Sequence, residues 1–187
     1  FATAPEMVEL ARAMKELPED RVRAGESRAI LEANLAALIA RGCAGIEAID
    51  AAGDVTVYRT VDGSWVVDSN GRVAGLLAGR AEVAAAAERL LAGQLPCPSP
   101  LMVSGLGTPT LAKELWVRSR EYVGGYAPAM HIVEEDARVA AGGLACERLS
   151  ELIADPRVHW WLGPGARARF AEWCRACPDS MLPTAAL

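Results

Sequence analysis

A mixed α/β chain, in which a smaller α+β region with a β-hairpin precedes a parallel βαβαβ unit, is predicted by three features of the sequence. From Leu101 onward, short apolar runs alternate with amphipathic stretches of helix length, the pattern of parallel strands joined by crossover helices. Before that point, β-branched runs flank an Asp62-Gly63 pair, a strong hairpin signal. Between the two lies QLPCPSP, whose three prolines cannot continue a helix and favour an extended connector. The domain boundary is placed there, with residues 1–95 as the helical and hairpin region and 98–187 as the second unit.

The elements follow in chain order. Thr3, with Pro5 and Glu6 behind it, reads as a capping box that starts a short helix to about Leu17. Ser27 starts a second helix. In it Ile30, Leu31, Leu35, Leu38 and Ile39 recur on one face, and Gly42 stands where a C-terminal cap belongs. From Ile46 to Ser69 the pattern turns to strand-like runs, IEAID, VTVYRTV and SWVVDS, with turns at Ala52-Gly53-Asp54, Asp62-Gly63 and Asn70-Gly71. A third helix, from about Arg80 to Leu91, ends at Gly93.

Three apolar runs make up the second unit: LMVSG, AMHIVEE and VHWWLG. Between them, TPTLAKELWVRSREY places Leu111, Leu115 and Trp116 at helical spacing, and ARVAAGGLACERLSELIAD does the same with Val139, Leu144, Leu149, Leu152 and Ile153. Right-handed crossovers put all three strand C-termini on one edge, giving a three-layer, Rossmann-like half domain. Three parallel strands make a narrow sheet, which the hairpin strands or a partner chain would extend or cover.

Composition narrows the function. With 187 residues, 52% of them apolar, the chain can bury a real core. A net charge of -5 argues against nucleic acid as a partner, because surfaces that hold polyanions concentrate Lys and Arg. No apolar run approaches the roughly 20 residues of a membrane-spanning helix, and the start FATAPEM has neither a basic leader nor an apolar segment. These readings lead to the expectation of a soluble, cytoplasmic protein that is processed or is a fragment. Five cysteines without framework spacing fit a reducing compartment. Cys174 and Cys177 form a lone CxxC on a helix, which reads as structural.

In a parallel sheet of this kind, ligands bind beyond the C-terminal ends of the strands. The first strand end is Ser104-Gly105-Leu106-Gly107-Thr108-Pro109. Its glycines let backbone approach a ligand, and the helix beginning at Thr108 offers free N–H groups and a positive dipole end. The third glycine of a dinucleotide fingerprint is missing and Pro109 removes a donor, so a plain strand-to-helix turn capped by Thr108 stands as the other reading. The second end carries Glu134 and Glu135, close to 30 residues after Gly105, where nucleoside-binding folds put a carboxylate for ribose hydroxyls. Glu134, first beyond the apolar run, is the one expected to face the ligand; alternatively, both glutamates and Asp136 are helix-starting acids. At the third end, Gly163-Pro164-Gly165 would let the chain turn near the base of a nucleotide. His131 and His159 fall inside strands and read as core or sheet-face residues. Trp160, Trp161 and Trp173 read as core or interface filler, with stacking open to Trp161. No nucleophile is paired with a base, so no catalytic residue is assigned and the cofactor stays open.

The series VSGLG, IVEED and LIADPRVHWWLG resembles the first three strands of nucleoside-binding Rossmann proteins, among them S-adenosylmethionine methyltransferases and the polyamine synthase group. Methyltransferases show an acid just before the turn and another after the third strand, where this chain has Ser104 and Gly163-Pro164-Gly165. Over about Ala29 to Gly163 the chain resembles more closely the N-terminal part of motility-associated (Maf-type) glycosyltransferase-like proteins. In these, a helix similar to ILEANLAAL leads into a hairpin similar to VTVYRTVDGSWVVDS, then a helix, a GLG turn and a VE-acid strand. The resemblance implies the front domain of a glycosyltransferase-like protein, holding a nucleotide or nucleotide-sugar at Ser104, Gly105, Leu106, Gly107, Thr108, Glu134 and Gly163. Members of that family continue into a further Rossmann-like domain, and nothing after Cys177 supplies one, so the active site is expected to be incomplete in this chain alone. A missing C-terminal domain or a homodimer is the expected partner. Two other functions stand beside this one: a non-catalytic interaction or scaffold domain, whose Ser104 to Thr108 turn would be occluded by side chains, and a small methyltransferase.

Overall fold

The structure, a computed structural model, describes residues 24–52, 55–59, 65–69, 72–77, 80–92, 100–106, 109–119, 128–177 and 185–186. The expected helix from Thr3 to Leu17, the Asp62-Gly63 and Asn70-Gly71 turns, Gly93, Gly107 and Thr108 lie outside them, as does all of the connector but Pro100.

Helix α1 (Ala24–Ala40) buries Ser27, Leu31, Asn34, Leu35 and Leu38, a stripe at helical spacing. Ile39 lies a third of a turn away and is 62% exposed, which corrects its place in the expected stripe. The helix stops as its sequence requires: Gly42 takes φ 72°, its N–H bonds Ile39 O, and Cys43 N–H bonds Leu38 O. The run IEAID, read as strand-like, is helix α2 (Ile46–Asp50). Its two isoleucines sit three apart, so a helical turn buries both on one side, and Gly45 in the left-handed region admits the sharp entry.

Strands β1 (Val55–Arg59) and β2 (Trp65–Ser69) pair antiparallel, as the hairpin pattern predicts. A third strand, β3 (Arg72–Leu77), which the sequence reading left without an assignment, pairs antiparallel with β2, and the register shifts at Val67 and Asp68. These strands form a separate three-stranded sheet, so the hairpin does not extend the parallel one. Helix α3 (Arg80–Ala92) follows.

The second half is the expected Rossmann-like βαβαβ unit. Strand β4 (Leu101–Ser104), helix α4 (Pro109–Ser119), strand β5 (Met130–Glu134), helices α5 (Ala137–Cys146) and α6 (Ser150–Ala154), strand β6 (Val158–Leu162) and helix α7 (Ala166–Ala176) succeed one another. Strands β4, β5 and β6 are parallel, in register from Leu101↔Met130 and Met130↔Val158. A fourth parallel strand, β7 (Ala185–Ala186), lies on the other side of β4, giving the order β6-β5-β4-β7. The sheet order therefore reverses at β4, which puts the turn after β4 at the topological switch point.

The segment from Ala137 to Asp155, expected as one helical stretch, is broken after Cys146. Buried Asn34 of α1 is the reason. Its Nδ2 donates to Leu144 O (2.7 Å) and Glu147 O (2.8 Å) and its Oδ1 accepts from Leu149 N–H (3.0 Å), replacing a turn of helical bonds. Helix α5 is buried along Ala140–Cys146, and a Cβ on Gly143 would stand 2.3 Å from Leu106 O. The small residues of AAGGLA thus set how closely α5 can lie on the turn after β4. One apolar cluster runs from Leu31, Leu35, Leu38 and Ile49 through α5 to Leu101, Ile132, Val158 and Leu162.

Candidate functional site

At the end of β4, Val103 points into the core and Ser104 is exposed. Gly105 has φ 96°, and among the described residues a Cβ placed on it would meet Glu134 Oε2 alone, at 3.8 Å. Glycine is needed here for the backbone angle, and no other described residue fills the space beside it. Leu106 turns the other way, with its side chain fully buried, so it presents no side chain to a ligand.

Glu134 ends β5 and its carboxylate meets the glycine turn. Oε2 accepts from Leu106 N–H (3.0 Å) and Oε1 from Asp136 N–H (2.8 Å). Each carboxylate oxygen has two acceptor positions, so each retains one. Asp136 caps α5, accepting from Arg138 N–H at 2.8 Å and Val139 N–H at 3.4 Å. Glu135 points outward to an ion pair with Arg167 at 3.4 Å. An open depression of about 470 Å³, lined by Ala52, Glu135, Asp136, Ala137 and Arg138, lies at this edge.

The third expected place differs. Gly163 has φ 73°, and its N–H donates to Glu134 O at 2.8 Å, tying β6 to β5. A Cβ there would stand 2.8 Å from Gly45 O, and one on Gly45 would stand 2.1 Å from Leu162 O. The turn between α1 and α2 therefore presses on the end of β6. Arg169 donates to Leu162 O and, at 2.7 Å, to Pro164 O, closing the Gly163–Gly165 turn. The structure brings Ser104, Gly105, Leu106 and Glu134 together; Gly163 joins them only through the Glu134 backbone.

Two features carry polar chemistry that the sequence reading did not assemble. In the DPRV stretch, Asp155 is 8% exposed and accepts from Trp116 Nε1 (2.7 Å), Arg157 N–H (2.9 Å) and Arg157 Nη2 (3.0 Å). Burial pushes its pKa up, and these hydrogen bonds with the Arg157 charge outweigh it, holding the carboxyl at about 2. The other lies between β5, β6 and α7, where His131 and His159 occupy paired positions with stacked rings 4.8 Å apart, within contact of Trp161, Phe170 and Trp173. His131 is fully buried; Trp161 Nε1 donates to its Nδ1 at 3.3 Å, and its Nε2 has no partner among the described residues. Burial, aided by the neighbouring His159, lowers its pKa to about 4. The period-two alternation of MHIVE and VHWWL was the available signal that both histidines share a face.

No family model matches the sequence, and no curated protein matches it. Among solved structures the chain is similar to MAf glycosyltransferase from Magnetospirillum magneticum AMB-1, with 18% identity and a TM-score of 0.57. The likeness covers 86% of this chain and 32% of that one, so the chain spans about a third of that protein's length. The resemblance to Maf-type proteins expected from residues 29–163 is met at the level of the fold.

Proposed function

We propose that this chain is a nucleotide- or nucleotide-sugar-binding domain of a glycosyltransferase-like protein, with the turn after β4 and Glu134 as its nucleoside site. The fold likeness to a glycosyltransferase supports the class. The observation that carries the site is the surroundings of Gly105: Ser104 is exposed, and among the described residues the nearest group beside the glycine is the Glu134 carboxylate. A ribose hydroxyl would donate to one of the two remaining acceptor positions of Glu134 while the ligand backbone lies over Gly105. The turn's position at the sheet reversal supports the same assignment. Among the described residues no acid–base pair is assembled there, so the reading is of binding, with transfer chemistry completed by residues of a larger chain.

A scaffold domain is the second reading, favoured by one observation: Glu134 already holds Leu106 and Asp136 by their N–H groups, a sufficient structural task for it. Thermal unfolding with millimolar nucleotide-sugars, nucleoside diphosphates and S-adenosylmethionine separates the two. A ligand at about ten times its Kd adds about 1.4 kcal/mol, a rise of roughly 3–6 °C for a chain of this size. The expected result is such a rise with a nucleotide-sugar and its loss in Glu134→Ala. No rise with any ligand supports the scaffold, and a rise with S-adenosylmethionine alone moves the chain to the methyltransferases.

A further inference from the structure

The outer edge of β6, two strands from the glycine turn, borders a recess of about 280 Å³ whose other wall is the turn following α1. Arg41, Cys43, Ala44, His159, Trp161 and Arg169 are among the residues that line it, and among the described residues no Asp or Glu does. Arg41 donates through Nη1 to Ile153 O and Asp155 O, and Arg169 to Leu162 O and Pro164 O. Both guanidinium groups are thus fixed by carbonyls, and neither has a carboxylate partner among the described residues.

The strand adds a donor of its own. Met130 N–H bonds Arg157 O and Gly163 N–H bonds Glu134 O, so the odd-numbered residues of β6 turn their backbone groups to β5. By the alternation of a parallel ladder, the N–H and C=O of Trp160 point to the outer edge. Its indole Nε1 is also buried without a partner among the described residues. An open edge normally invites another strand, but here Gly45 is packed against Leu162 O and closes one end. What remains takes a small molecule. Its volume of about 280 Å³ lies just below the range of roughly 300–1,000 Å³ usual for ligand pockets, so it has room for one small ligand.

We infer that this recess binds a phosphate monoester carrying a flat ring, in chemical class a nucleoside monophosphate. The phosphate lies between Arg41 and Arg169, where fixed guanidinium donors match its oxygens. The ring lies against the half-buried His159 and Trp161. This site is separate from the glycine turn and does not rest on it.

The test is calorimetric titration with inorganic phosphate, adenosine and adenosine 5′-monophosphate, on four proteins: the native chain, two variants at Ala44 and one at Glu134. Ala44 is exposed at the recess and makes no side-chain hydrogen bond, so Ala44→Glu and Ala44→Lys alter the charge there without removing a polar contact. Unchanged thermal midpoints verify their folds. Expected are millimolar or tighter binding of the monophosphate, weaker binding of phosphate and of adenosine, about tenfold weakening in Ala44→Glu and a gain in Ala44→Lys. Equal affinities in the two variants, or no binding of the monophosphate, overturn the site; equal affinities for phosphate and monophosphate overturn the ring contact. Glu134→Ala keeps the two sites distinguishable. It is expected to leave this binding intact, and loss there with none in Ala44→Glu moves the ligand to the glycine turn.

Discussion

Asn34 is the residue that ties α1 to the segment between α5 and α6 by hydrogen bonds. It is 2% exposed, yet all three of its hydrogen bonds go to backbone groups of the segment 144–149, where a helix has ended and another has not begun. Replacing it by leucine keeps the volume and removes every partner. Each buried backbone group left unpaired costs about 1–3 kcal/mol, so Asn34→Leu is expected to lose about 3 kcal/mol or more, a fall of roughly 6–12 °C in thermal midpoint. Asn34→Asp restores only the acceptor and sets a negative oxygen against two carbonyls, so it is expected to recover little. A fall under 2 °C in Asn34→Leu would show that water or rearranged backbone satisfies these groups instead.

Helix α7 is the element whose docking is expected to respond to pH. It covers the His131 and His159 face of the parallel sheet with Phe170 and Trp173. His131 titrates near 6.5 in the unfolded chain and near 4 in the folded one, and the His159 pKa is lowered too, by burial first and by Arg41 next. A lowered folded value means that the unfolded chain binds more protons between these pH values, so stability is full above about pH 6.5 and falls as pH drops toward 4. For His131 the loss is on the order of 2–3 kcal/mol. Thermal midpoints between pH 7.5 and 4.5 are expected to fall more steeply for the native chain than for His131→Phe; parallel curves would assign the pH dependence to other groups. Both histidines were legible as strand residues because MHIVE and VHWWL have the period and length of strands. The break between α5 and α6 was not legible, since the side chain that causes it lies 110 positions from Leu144. Strand β7, two alanines, has no local pattern, and IEAID was misread because its β-branched residues outweighed their spacing of three. At the candidate site, Ser104, Gly105 and Glu134 could be placed by the strand-end rule alone. The Arg41 and Arg169 recess could not, because the tertiary fold alone brings the end of α1 to the edge of β6.

At the scale of the whole molecule the relevant fact is the continuity of the apolar core. The proline-rich connector separates two regions in sequence, yet Leu31, Leu35, Leu38 and Val57 from the first pack in one cluster with Leu144, Leu152 and Val158 from the second. Helix α5 joins them, buried along Ala140–Cys146 and bonded to α1 through Asn34. Two regions that share a core lose its burial together, and a leucine fully removed from water contributes about 1.5–3 kcal/mol, so neither half is expected to keep its structure once the other has opened. Unfolding in urea is therefore expected to be one transition, with far-ultraviolet circular dichroism, which reports all the helices, and tryptophan fluorescence changing at the same midpoint. Fluorescence weights the second half, where Trp116, Trp160, Trp161 and Trp173 lie and only Trp65 belongs to the first. Coincident midpoints that shift together in Asn34→Leu would identify α5 as the coupling element. Two separated midpoints would instead mean that the contact through α5 contributes less than either region's own packing, and that the connector marks an energetic boundary as well as a compositional one.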